Sequence, residues 1–163
     1  MSRAHPIELF MPPNMLKAKA GSAIGGIDVA ALKRAELAMD TLKSEFTEWI
    51  VDDVNRLSAC RNQFAEHKTA KTRDDLFRAS HDIKGQATTF EFPLVARAAT
   101  SLCKLIDAMP APESIPLLLV DAHVTAIRII FRDKIKDVSN AMAVELLKEL
   151  ESRVAEITAP AST

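Results

Sequence analysis

A chain of 163 residues, 48% of them hydrophobic, has the length and apolar content for one domain with a continuous core. Its 21 basic and 22 acidic residues leave a formal net charge of -1, so there is no overall field to gather nucleic acid or an anionic membrane surface. The most apolar late run, Ile115 to Val120, lies between Glu113 and Asp121 and is far too short to span a bilayer.

The first 27 residues scatter Pro6, Pro12, Pro13, Gly21, Gly25 and Gly26 among apolar residues, a pattern that predicts an irregular N-terminal arm over 1–27. Arg3 is its only early positive charge and the prolines break its apolar run, so no secretory signal is expected and the chain is read as cytoplasmic. Cys60 and Cys103 both fall in helical pattern and are expected to be small apolar residues, not a disulfide, which suits a reducing compartment.

From residue 28 onward the chain reads as all-α. Only four glycines occur, all at or before Gly85, and alanine, leucine, lysine and glutamate dominate the remainder of the chain. Asp28 can cap a long first helix whose apolar residues, from Val29, Leu32, Met39 and Leu42 to Phe46, Trp49, Ile50, Leu57 and Phe64, recur at helical spacing until about His67. Thr72 with Asp75 three residues on predicts a capping box and the start of a second helix. That helix should break near Phe92, because Pro93 disfavours helical backbone in the preceding residue yet suits the first position of a new helix, which then reaches Met109.

The turn Pro110 to Ser114 leads into a fourth stripe of Leu117, Val120, Val124, Ile127, Phe131 and Ile135. Ser139 or Asn140 can cap a last helix carrying Val144, Leu147, Leu150 and Val154. Helices joined by short connections predict an antiparallel bundle over 28–159, with 160–163 as a tail. Trp49 and the phenylalanines are expected in its core.

Chemistry is concentrated at His81, Asp82, Ile83, Lys84 and Gly85. On a helical wheel with Leu76 at zero, Ile83 falls at about -20°, Ala87 at about +20° and Phe90 at about -40°, which defines the buried face. His81 falls at about 140°, flanked by Lys84 at about 80°, Thr88 at about 120° and Gly85 at about 180°. An off-core imidazole is a usable nucleophile near neutral pH, and an ammonium beside it suits a developing phosphate charge. A glycine inside a helix costs about 1 kcal/mol against alanine; beside His81 its missing side chain makes room for a partner. His5, His67 and His123 show no metal-ligand spacing, and Asp82 lies about 100° from His81 on the wheel and is read as a solvated charge.

This run, followed by the stretch Ser101 to Asp107, resembles the histidine phosphotransfer (HPt) family, whose signature is His-x-hydrophobic-Lys-Gly. The resemblance covers mainly residues 72–107. It implies an antiparallel four-helix bundle, His81 as the phosphorylated residue, Lys84 as its electrostatic support and Gly85 as the access position. It also implies partners in response-regulator receiver domains, from a hybrid histidine kinase or a stand-alone regulator, with Mg²⁺ held by the receiver and no cofactor on this chain. Glu91 departs from the family, which often has a glycine ten residues after the histidine, and its carboxylate would face an acidic receiver site.

Two other readings use the same residues. His-Asp-Ile-Lys also resembles the phosphoacceptor box of histidine kinase dimerisation modules, but Gly85, the lack of a nearby proline and the absence of glycine-rich ATP-lid motifs after Gly85 argue against it, so no kinase activity is expected. A binding module that docks a response regulator without accepting phosphate is the other alternative, and Glu91 is the residue that favours it.

Overall fold

The structure, a computed structural model, describes residues 28–160; the arm expected over 1–27 and residues 161–163 of the tail lie outside the described residues. The chain divides into two units, one up to Lys43 and one from Ser44. In the first, Asp28 Oδ1 accepts from the Ala30 backbone N–H at 3.1 Å and so caps helix α1 (Val29–Glu66), as its side chain and position predict. Leu32, Leu37, Met39 and Leu42 of this stretch are exposed.

The second unit holds the rest of α1 and four more α-helices: α2 (Ala70–Thr89), α3 (Pro93–Ala108), α4 (Leu117–Arg132) and α5 (Ala141–Thr158), with a short 3₁₀ turn at Pro112–Ser114. The described residues contain no strand. Two side-chain bridges and one ring contact give the sense of α1 against α2. Phe46 meets Phe90, Asp53 meets Gln86 and Arg56 meets Asp82, so numbers rise along one helix as they fall along the other. The helices are therefore antiparallel. The three residues Phe90 to Phe92 fold α3 back along α2. Arg61 of α1 grips Asp121 of α4 with two guanidinium donors, one at 2.6 Å.

Helix α1 joins α2 and α4 through these side-chain contacts and the shared core, α2 packs on α3 and α3 on α4, and α5 packs against α3 and α4. Leu147, Leu150 and Val154 supply its apolar face, and Arg97 of α3 holds Glu151 through paired bonds of 2.6 and 2.7 Å. The core is continuous, with Leu57, Phe64, Leu76, Leu102, Leu105 and Ile127 fully buried. Each such side chain contributes about 1.5–3 kcal/mol of burial.

One helix start differs in detail from the sequence reading, and at another the structure selects one of two expected caps. Thr69, not Thr72, is the N-cap of α2: Thr69 Oγ1 accepts from Thr72 N at 3.2 Å and Thr72 Oγ1 accepts from Thr69 N at 3.1 Å. The box is closed by a second threonine and not by an acidic residue, so the pattern of threonine and aspartate three apart points one turn too late; Asp75 instead pairs with Lys71 at 2.7 Å. At α5, Asn140 is the cap, accepting from Ala143 N at 3.0 Å, while Ser139 is engaged by Asp137.

Two helices end in the same way without glycine. Glu91 follows α2 with φ of 59° and Lys134 follows α4 with φ of 52°, both left-handed. In each case the next residue bonds back over six residues, Phe92 N to Ala87 O at 2.8 Å and Ile135 N to Ile130 O at 2.9 Å. This is the Schellman turn, whose left-handed position favours glycine.

Candidate functional site: His81 and the groove between the first two helices

His81 lies in the second half of α2 and is exposed, as are Lys84, Gly85 and Thr88, while Leu76, Ile83 and Ala87 of the same helix are buried. The wheel therefore gives the correct phase. One turn before His81, the Phe77 ring stacks on the imidazole with centroids 6.2 Å apart and planes 25° from parallel, which limits the ring's rotation. One turn after it, Lys84 makes no ion pair among the described residues and leaves its ammonium available to an arriving anion. Thr88 does not present its hydroxyl in the same way, because Oγ1 bonds back to Lys84 O at 2.9 Å.

Gly85 is next to this group in space. A β-carbon built on it would meet no heavy atom within 4 Å, so the residue is not required by packing inside the chain. Its absence of a side chain leaves a shallow groove between α1 and α2, whose walls include Trp49, Arg56, His81, Asp82, Gly85 and Phe90. Trp49 is not in the core, contrary to its place in the helical stripe; it is 55% exposed and packs edge-on to Phe46 at 5.5 Å. Trp49 lies in the groove lining at this level.

The polar floor of the groove joins the two helices. Arg56 Nη1 donates to Asp82 Oδ2 at 2.9 Å, and Gln86 Nε2 donates to Asp53 Oδ2 at 2.5 Å. Burial raises the Asp53 carboxyl above its ordinary range, with Asp82 and Asp52 adding to the effect and Arg56 opposing it. Asp82 is thus an ion-pair partner and not only a solvated charge. Arg56 could not be found from the motif, since it lies on another helix and only tertiary packing brings it in. Arg78, three residues before His81, is not singled out by the motif and is exposed on α2, where its spacing alone puts it on the same ridge.

Glu91 is ten residues on from His81 and exposed. Its backbone is left-handed, the conformation that favours glycine, and the position ends α2 and turns the chain into α3. The remaining histidine of note, His123, is fully buried against Ser101 and takes no part in the groove. Burial pushes the Cys103 thiol up to about 11, and Cys103 and Cys60 are both free. Among the described residues no three His, Cys, Asp or Glu side chains converge as a metal site, and no helix is long and apolar enough to cross a membrane.

The α-helical bundle thus exposes His81 in mid-helix, with Lys84 and an open Gly85 one turn on. The Hpt domain family model matches residues 41–130, more than half of the chain and all of α2, α3 and the groove. The chain belongs to the Hpt domain family. Hpt domains act in phosphotransfer within two-component signalling, are carriers and not kinases, and interact with response-regulator receiver domains. No curated protein and no solved structure matches the chain.

Proposed function

We propose that this chain is the histidine phosphotransfer protein of a cytoplasmic phosphorelay, with His81 as the residue that carries the phosphoryl group between receiver-domain aspartates. The observation that carries this reading is the exposed imidazole of His81 with Lys84 and the unobstructed Gly85 one turn beyond it. A neutral imidazole nitrogen attacks the phosphorus of a receiver's aspartyl phosphate. The P–N bond forms as the acyl P–O bond breaks and the carboxylate leaves on the receiver. The same step run backwards loads a second receiver. Lys84 balances charge on the phosphoryl oxygens, and Gly85 admits the receiver surface. The receiver, belonging to a hybrid histidine kinase or a stand-alone regulator, brings the Mg²⁺.

The purified chain incubated with ATP alone should take up no label, whereas a phosphorylated receiver should give acid-labile phosphate on the wild type and none on His81→Gln. Label from ATP alone, or label that survives the substitution, would overturn the proposal. The binding-module alternative predicts receiver capture with no label on the wild type or on His81→Gln. Glu91, the residue that favours that alternative, has a conformational reason for attention at its position, which weakens the case for it.

A further inference from the structure

Lys84 follows His81 by one turn without lining the groove, whereas a second cation, Arg56, does line it. Arg56 projects from α1 into the same groove that His81, Asp82 and Gly85 line from α2. Among the described residues its one ion pair is with Asp82, the residue next to His81, and both side chains are about half exposed, at 51% and 46%. The other carboxylate on this floor, Asp53, accepts instead from Gln86. Only Nη1 of the guanidinium is bonded to Asp82, which leaves donors of a five-donor fork unused. Resting on the reading of His81 as phosphoacceptor, we propose that Arg56 is a second phosphate-contacting cation, held by Asp82 in the unphosphorylated chain and taken over by the phosphoryl group once His81 carries it.

The competition favours the phosphoryl group on charge and on geometry. A phosphoryl group brings a charge of about -1.5 to -2 and three acceptor oxygens, against the single charge of Asp82. A guanidinium fits such oxygens in pairs, while an exposed carboxylate pair in water is weakly held. Arg56, His81 and Asp82 line one groove, so the exchange requires the Arg56 side chain to swing across it from Asp82 to the phosphoryl group, about 100° around the helix. Asp82 acts here as a positioning residue that keeps the guanidinium in the groove.

The test loads the full chain with phosphoramidate, without any partner. The donor's P–N bond breaks as an imidazole nitrogen bonds to phosphorus, and the ammonia that leaves takes up the proton shed by the ring. The ionisation of the resulting phosphohistidine is then followed by phosphorus NMR against pH. Arg56→Gln should lower the acid ionisation constant of the phosphoryl group about two- to fivefold, Arg56→Lys should restore most of it, and Asp82→Asn should raise it. A merely structural ion pair predicts something different: Arg56→Gln and Asp82→Asn would lower the melting temperature alike and leave the phosphorus titration where it was. That result overturns the proposal. Should Arg56→Gln not fold, Arg56→Lys and Asp82→Asn decide, and an unmoved titration in Asp82→Asn overturns it equally. Failure to label His81 in the wild type would overturn the phosphoacceptor reading itself, and this inference with it.

Discussion

Replacing Gly85 by alanine adds a methyl group that meets no heavy atom within 4 Å, while removing the entropy cost of a glycine inside a helix. Thermal or denaturant unfolding should show Gly85→Ala more stable by about 0.5–1 kcal/mol. A bulky residue at the same position, such as Gly85→Leu, should keep the fold and slow receiver-dependent labelling of His81. Loss of the fold would show instead that the glycine is needed for packing. Lys84→Ala should leave helicity unchanged and slow transfer roughly tenfold, a change worth about 1.4 kcal/mol of transition-state stabilisation, as stopped-flow or quench-flow labelling can measure. These positions were legible because a helical wheel needs only the period and one buried anchor. Arg56 was not, since nothing in a linear pattern says which face of α1 meets Asp82.

At the scale of the helix, the ends of α2 and α4 contain backbone in a region that ordinary residues avoid. Left-handed backbone costs a side-chain-bearing residue about 1–2 kcal/mol, so Glu91→Gly should raise stability by up to that amount, and Lys134→Gly likewise, in a denaturant titration of each variant. An unchanged or lower midpoint would mean that the Glu91 and Lys134 side chains offset the strain. Lys136 has a part in holding the first of these ends, because its ammonium lies 4.4 Å from the Phe92 ring centroid and 3.4 Å from Phe90 O. The break at Phe92 and Pro93 was readable from proline stereochemistry alone. The left-handed turn before it was hidden because Glu91 carries no glycine signal, and the cap at Thr69 was hidden because its reciprocal partner is a threonine.

At the scale of the whole molecule, the one buried histidine among the described residues, His123, makes stability depend on pH. His123 Nδ1–H donates to Leu119 O at 2.7 Å, and Nε2 accepts from Ser101 Oγ at 2.9 Å, so both nitrogens are satisfied in the neutral ring. Burial holds its pKa below the ordinary 6.5, against a smaller opposing effect of the Leu119 carbonyl. The unfolded chain therefore takes up a proton that the folded chain refuses. Stability is full above about 6.5 and falls as pH drops below it toward the folded value. Urea midpoints at successive pH values should show this slope in the wild type and lose it in the paired substitution His123→Leu with Ser101→Ala. In the sequence His123 stands only as an incidental residue, because burial of a polar ring depends on a partner from another helix.

The two left-handed helix ends have a further consequence for how the chain can change. A domain of this kind has only about 5–15 kcal/mol of net stability, and the helix ends at Glu91 and Lys134 withhold about 1–2 kcal/mol each. Substitutions that remodel the face around His81 for a new receiver can cost stability without loss of the fold, provided a glycine appears at 91 or 134. Partner choice and foldedness can thus be adjusted by separate residues, which leaves the recognition surface free to diverge.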